Sequence, residues 1–462
     1  MKRKFSAFMV LFSALFLMSS CLKDDTTEVT YSDDTAVTAF SLGTVNNVLK
    51  KKYQSDVDSI VTKSLTSYAF TIDQASRLIY NEDSLPYDRN VAPYDYDYTA
   101  VTATVTTKNS GVVVLVGKNT AGNDTLLSYT SGTKYDITTI KKLRVYNASM
   151  TAYSEYNLDI RIHQRNDSLY NWVSDATNSI IQDFEDVRAV AMNGKIYAFG
   201  QKDNATKVVA TSDKDVAGWN EVETNVAFSA DAFKSIAQNN GKLYILSNGT
   251  LYSSSDAANW TAEEGDASTL KQLLGYAGNR FIALNTSNTI SSSVDLKEWK
   301  KDELAADTKF LPSESLSLVS FPSTVNESTD IALLIGNRAA AYGDSTATIW
   351  NKMIEYSAGS KDEPWTYAPF YINDPDKAPY CNRFAAVAYD DRIEALNNDG
   401  VFYYSTDKGL RWFKDTKVEI PNFQSTSKFA FIMDSNNYLW FIDATTGRVM
   451  KGRHNSVGDK LN

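Results

Sequence analysis

The sequence predicts an all-β protein made of two successive folded domains. Three observations carry that expectation. Between residues 36 and 164, short runs of alternating apolar and polar residues are separated by polar turn clusters. From residue 165 onward, a turn followed by a near-continuous apolar strand recurs along the chain. Tryptophans fall in register with that repeat, at positions 219, 260, 299, 365 and 412.

A chain of 462 residues exceeds one ordinary core, which is why more than one domain is expected. An aromatic content of 12%, with 27 Tyr, suits strands rather than helices. The net charge of −10, without a basic stripe, argues against a nucleic-acid partner and against attraction to anionic membrane surfaces.

The first residues read as targeting rather than fold. Lys2, Arg3 and Lys4 form a basic start, and Phe8 to Met18 is an apolar run too short for a normal membrane span. Leu17-Met18-Ser19-Ser20-Cys21 resembles a bacterial lipobox. That resemblance implies a lipoprotein signal peptide over residues 1–20, with cleavage before Cys21 and lipidation of Cys21. Leu22-Lys23-Asp24-Asp25 resembles the Lys-plus-acidic tag of Bacteroidetes-type surface lipoproteins. It implies a protein held at the outer membrane and exposed at the cell surface, meeting the membrane through its lipid only. Each buried acyl CH₂ contributes about 0.8 kcal/mol to such an anchor. Residues 21–35 are polar and read as a flexible tether. With Cys21 lipidated, Cys381 has no intramolecular disulfide partner and reads as a small apolar residue.

Residues 36–164 read as an immunoglobulin-like β-sandwich without a disulfide. The runs Val37–Phe40, Tyr68–Ile72, Val101–Val105, Gly111–Val116 and Leu143–Val145 are strand-like, and Tyr156 to Ile162 alternates over one buried face. Val45 to Ser67 reads as a polar excursion holding a short helix or loop. Tyr94-Asp95-Tyr96-Asp97-Tyr98 has two readings: a sugar-binding surface, or a solvated loop entering a strand with alternate Tyr buried.

Residues 165–462 read as a β-propeller. Asn193-Gly194-Lys195, Asn240-Gly241-Lys242, Gly278-Asn279-Arg280, Asp390-Asp391-Arg392 and Asn436-Asn437-Tyr438 each precede an apolar strand, and Asp330 to Leu334 repeats it with a degraded turn. The tryptophan spacings of 41, 39, 66 and 47 match the roughly 40–50 of propeller repeats, apart from one interval that carries insertions. The last repeat lacks an outer strand. The strand around Trp172 is expected to supply it and to close the last of six blades. Trp172, Trp219, Trp260, Trp299, Trp365 and Trp412 are then the blade tryptophans, packed between blades.

Ser405-Thr406-Asp407-Lys408-Gly409-Leu410-Arg411-Trp412 reads as a turn held by its own side chains. Ser405 and Asp407 can bond turn backbone groups, Gly409 accepts positive φ, and Trp412 covers the apolar side. This stretch resembles the Asp-box of sialidase-type and related propellers, where the box is structural. Looser variants, Ser254-x-Asp256, Ser293-x-Asp295 and Asp213-x-Asp215, precede Trp260, Trp299 and Trp219; they lack the Gly and are one residue shorter. The likeness does not reach sialidase chemistry. The Arg-Ile-Pro typical of those enzymes is absent, and Arg188, Arg280, Arg338, Arg383, Arg392 and Arg411 are scattered with nothing in the sequence to assemble them.

The whole chain resembles an uncharacterised family of Bacteroidetes-type surface lipoproteins, in which an immunoglobulin-like domain precedes a kelch-like or galactose-oxidase-like, Asp-box-bearing propeller. The resemblance rests on Cys21 with Lys23-Asp24-Asp25, Ile160 to Trp172, the Tyr403 to Trp412 hairpin and the closing Gly447 to Asn455. It brings no established activity. A galactose-oxidase copper site cannot be built from His163 and His454, which stand at domain ends. No His or Cys spacing suits a metal, and no phosphate-binding loop occurs. Asp374-Pro375-Asp376 and Asp213-Lys214-Asp215 have calcium-binding chemistry but are commoner as turns. No cofactor and no catalytic residue are assigned.

Propellers commonly bind across one face through the loops between strands. The expected function is therefore that of a non-catalytic surface lipoprotein recognising a glycan or a partner envelope protein, with face Trp and Tyr as contacts. The alternative is a glycan-active hydrolase or lyase with paired carboxylates in a central funnel.

Overall fold

The computed structural model describes residues 34–49, 59–82, 84–85, 94–119, 121–163, 170–323, 326–369, 376–389 and 392–455. The leader, Cys21 and most of the tether lie outside the described residues, as do Asp374, Pro375, Asp390 and Asp391. The chain divides between Ile162 and His163 into two compact units. Nearly every element in both is a strand. Among the described residues, no helix is long and apolar enough to cross a membrane.

In the first unit, Val37–Leu42 and Lys134–Tyr135 flank Val101–Thr107 in one antiparallel sheet. A second sheet runs in the order Phe70–Asp73, Leu78–Asn81, Tyr153–Asp159, Ile140–Tyr146, Val113–Lys118, Asp124–Ser128. Its pairings are antiparallel except that Leu78–Asn81 lies parallel to Tyr153–Asp159. The strands alternate, so one face of each sheet is apolar. Val37, Phe40 and Leu42 from the first sheet share a core with Leu115, Leu143, Val145 and Tyr156 from the second. Each such side chain contributes roughly 1.5–3 kcal/mol by leaving water.

Within the polar excursion from Val45 to Ser67 the described residues hold two strands, and residues 50–58 lie outside the described residues. Thr44–Leu49 pairs antiparallel with Ser59–Ser64, and Tyr94–Tyr96 adds to its other side. Thr62, Lys63 and Ser64 are exposed while Val45 and Leu65 are buried, so the outward residues made the stretch look polar. The Tyr94–Tyr98 run follows the strand reading: Tyr98 is 1% exposed and stacks on Tyr96 at 6.1 Å between ring centroids.

Among the described residues, the second unit holds six antiparallel sheets. The inner strands are Val187–Met192, Ile236–Asn239, Leu270–Ala277, Glu314–Pro322, Phe384–Tyr389 and Phe429–Met433. Each inner strand touches the inner strand of the next sheet, and the last touches the first, so they close a ring. This is β-propeller architecture. The second strands are near-continuously apolar because both faces are covered, as in Lys242–Ser247 and Leu439–Asp443. Asn193-Gly194 and Asn240-Gly241 join first to second strands with positive φ at both positions, the geometry that two-residue hairpins need.

Five sheets end in a two-residue outer strand that begins directly after Trp219, Trp260, Trp299, Trp365 or Trp412. The remaining sheet joins the two ends of the unit. Tyr170–Thr177 pairs antiparallel with Arg448–His454, which continues through Leu439–Asp443 to Phe429–Met433. Six apolar cores separate the sheets, and each takes one tryptophan of the repeat. Trp219, Trp260, Trp365 and Trp412 are core members, and Trp299 and Trp172 are half-buried against theirs.

The turns before these tryptophans are built from the side chains the sequence singled out. Ser405 Oγ accepts from Gly409 N at 2.8 Å, and Asp407 Oδ1 accepts from Arg411 N at 2.8 Å. Trp412 Nε1 donates back to the Gly409 carbonyl at 3.0 Å. Gly409 has φ +87°, and a Cβ there would meet Leu333 at 2.6 Å. In the shorter copies Ala257 and Leu296 hold the left-handed position, at φ 64° and 65°. Trp260 Nε1 still reaches the Ala257 carbonyl, at 2.7 Å. In the third copy only Asp215 acts, accepting from Ala217 N and Gly218 N, while Asp213 accepts from Asn436 of another sheet.

Two expectations follow. Replacing Trp412 (2% exposed) by Ala empties an inter-sheet core and should cost about 3–5 kcal/mol in chemical denaturation. An unchanged unfolding midpoint would sink the assignment of Trp412 to that core. Asp256 is held well below the ordinary carboxylate value of 3.8, first by the Asn259 backbone N–H and then by its side chain. A lowered folded pKa stabilises fully above the unfolded value and loses that contribution as pH falls toward the folded one. Asp256→Ala should therefore cost about 1 kcal/mol at neutral pH, the size of a lost capping bond. Thermal melts should show the gap to wild type closing in acid.

The channel mouth as candidate functional site

The six inner strands surround a channel of about 240 Å³. Because alternate residues of a strand share a face, each inner strand sends a series two apart along the channel wall. Arg188 precedes Val190, Lys234 precedes Ile236, Gln272 precedes Leu274, and Arg383 precedes Ala385 and Val387, all lining the channel. The polar member comes first each time, near the start of its strand. These starts lie together: Gln272 Nε2 donates to the Lys234 carbonyl at 2.9 Å, and Ser317 Oγ donates to the Phe384 carbonyl at 3.1 Å. One mouth of the channel is thus basic, and the wall beyond it is aliphatic.

Asp186, one residue before the first inner strand, gathers the basic groups. Arg383 Nη2 forms a close ion pair with its Oδ1, and Arg188 Nη1 lies 3.7 Å from the same oxygen. Burial raises the Asp186 carboxyl above its ordinary range, against the pull of Arg383 and Lys234. Burial likewise lowers Arg383, which Asp186 partly offsets. Arg383 is 5% exposed, and its Nε finds no acceptor among the described residues. A buried charged donor left unpaired costs about 1–3 kcal/mol or more, so an anionic oxygen at the mouth would be bound favourably. Lys234 is exposed, with its ammonium 5.4 Å from the centre of the Phe233 ring.

Of the six scattered arginines, the structure brings together Arg188 and Arg383 only. The other four are each paired elsewhere: Arg280 with Asp362, Arg338 with Asp344, Arg392 with Glu394, and Arg411 with Asp407. Lys234 was missed altogether. The signal that could have found the mouth is a basic residue two positions before an apolar residue at the start of an inner strand.

Two other groups with reactive side chains have structural surroundings. Cys381 is half-buried, its thiol pushed up to about 11 by burial, which makes it a poor nucleophile. Glu394, Asp415 and His454 form a buried trio with metal-like spacing. Arg392 already supplies its cation, with Nη2 against Glu394, 2.9 Å from His454 Nε2 and 3.7 Å from Asp415. His454 is further fixed by its backbone N–H, which donates to Tyr389 Oη at 3.0 Å. His163 Nε2 lies 2.6 Å from the Asn455 carbonyl.

Comparison with known proteins agrees with this architecture. A family model described as DUF6242 beta propeller domain matches residues 166–462, and one described as the DUF6242 N-terminal domain, a domain of unknown function, matches residues 40–160. Comparison with curated proteins finds no match. Among solved structures, the SapL1 lectin in complex with alpha methyl fucoside is similar at 10% identity and TM-score 0.37, over 56% of this chain and 90% of that one. YCF48 bound to D1 peptide is similar at 10% identity and TM-score 0.35, over 62% and 96%. BamB from Moraxella catarrhalis is similar at 11% identity and TM-score 0.29, over 62% and 100%. With both family models matched in order along most of its length, the chain belongs to the DUF6242 family, an N-terminal domain of unknown function followed by a β-propeller.

Proposed function

We propose that this protein is a non-catalytic binding lipoprotein, anchored at the outer membrane through Cys21 and exposed at the cell surface. Residues 36–164 act as an immunoglobulin-like spacer. Residues 165–462 form a single six-bladed propeller whose face recognises a glycan or a partner envelope protein. The observation that carries the binding reading is the basic mouth, where Arg188, Lys234 and Arg383 surround the single carboxylate of Asp186. It favours an anionic partner even though the chain as a whole carries −10. The alternative, a glycan-active hydrolase or lyase, needs convergent carboxylates. None of the described residues lining the channel is Asp or Glu, and Asp186 is tied to Arg383.

A glycan-array screen of the full chain in detergent tests this reading. Hits should concentrate on acidic glycans and weaken with added salt. Incubation with those glycans should release no new reducing or unsaturated ends; release would sink the non-catalytic reading. A blank array with folded protein would shift the partner from glycan to protein, to be sought by crosslinking on whole cells. The mouth should also respond to mild acid. Asp186 takes up a proton at higher pH than an exposed aspartate does, because its pKa is raised. Protonation there removes the counter-charge among Arg188, Lys234 and Arg383. Affinity for an acidic ligand should therefore rise on acidification. Asp186→Asn should bind more tightly at neutral pH and flatten that dependence, as read by titration calorimetry.

A further inference from the structure

A contact across the propeller face does not require the apolar wall that continues below the mouth. The channel, mouth included, is about 240 Å³, smaller than the roughly 300–1,000 Å³ of pockets that hold drug-sized ligands. It is larger than the roughly 150 Å³ apolar cavity that takes up benzene. Its walls come from Val190, Ile236, Leu274, Leu316, Leu318 and Ile432, none with a polar side-chain atom. The polar side chains on the wall have other partners. Ser317 Oγ donates to the Phe384 carbonyl and accepts from Ala386 N at 3.3 Å, and Gln272 is bonded to the Lys234 carbonyl. A sugar ring in this cavity would leave its hydroxyls unpaired. An aliphatic chain would lose nothing.

The mouth supplies the complement at one end. Arg383 has a buried Nε with no acceptor among the described residues, and Arg188 and Lys234 stand beside it. We propose that the channel is a binding site for a short aliphatic carboxylate. Its carboxylate would be held by Arg383, Arg188 and Lys234, and its chain would lie between Val190, Ile236, Leu274 and Leu318. This goes beyond recognition of a glycan or protein on the face and names a separate small-molecule class. The site is non-covalent, and no bond is made or broken in it.

Titration calorimetry of the full chain with octanoate tests the site, with acetate, 1-octanol and inorganic phosphate as the other arms. Octanoate should bind saturably at one site with a negative heat-capacity change, the mark of apolar burial. Acetate, which has the head alone, and 1-octanol, which has the chain alone, should each bind at least about tenfold more weakly. Lys234→Gln, at an exposed position, should weaken octanoate about tenfold and reduce its salt dependence. Leu274→Phe, which narrows the channel without touching the mouth, should weaken octanoate and leave acetate unchanged. Absence of saturable octanoate binding to folded protein overturns the proposal. Acetate or phosphate matching octanoate would mean an adventitious anion site only, and 1-octanol matching it would mean that the charge is not read. Face recognition is separable: if Leu274→Phe still binds an array ligand while octanoate never binds, the face reading stands and the channel site is lost.

Discussion

The second unit depends on one pairing between its two ends. Tyr170–Thr177 runs antiparallel to Arg448–His454, and the other strand-to-strand pairings within the six sheets, among the described residues, are between strands close in sequence. The pairing is reinforced at its edges: Arg448 clamps Asp175 through Nε at 3.0 Å and Nη2 at 2.7 Å, and Trp172 Nε1 donates to the Glu419 carbonyl at 2.7 Å. Without that strand, one sheet would present an unpaired edge and the core containing Phe402, Phe429 and Phe441 would lose its cover. A ring of this kind has no end sheet, so each sheet is packed on both faces. The channel exists only because the ring closes.

Packing between sheets explains why tryptophan recurs at the start of each outer strand. The indole fills the core against the neighbouring sheet and its N–H is spent on the turn that carries it, as in Trp219, Trp260 and Trp412. The same side chain thereby fixes both the turn and the inter-sheet spacing. Trp365 meets the need differently. Its Nε1 donates to Asp302 Oδ2 at 2.7 Å, an oxygen that also pairs with the buried Lys352 at 3.1 Å. The insertions around this sheet replace the Ser-x-Asp turn with a buried ion pair, and the tryptophan keeps its place.

Buried charge is handled in two ways in this unit. Lys352 pairs with buried Asp302 and half-exposed Asp362, and Arg392 meets buried Glu394, Asp415 and His454. Breaking such a pair costs about 3–5 kcal/mol because the survivor stays buried and uncompensated. Arg383 differs. It shares one carboxylate with Arg188, keeps a donor that finds no acceptor among the described residues, and lines a channel. Arg383 thus lies on the channel wall, whereas Lys352 and Arg392 do not.

Much of the fold was legible because its determinants are local. Alternation and paired positive-φ turns such as Asn193-Gly194 mark strands and hairpins. The spacing of the tryptophans marks a repeat that cannot bury its own faces. Less legible were Thr44–Leu49 and Ser59–Ser64, where exposed Thr62, Lys63 and Ser64 hide strands next to buried Val45 and Leu65. The candidate site was not legible. Arg188, Lys234 and Arg383 lie at or just before the inner strands of three different sheets, and nothing in the sequence near any one of them refers to the others. What the sequence determined by itself was which residues form strands and which side chains hold the turns, because those bonds join residues a few positions apart. Only the tertiary structure decided that three basic residues share one mouth. Their meeting depends on ring closure, which brings strand starts from distant sheets around a single axis.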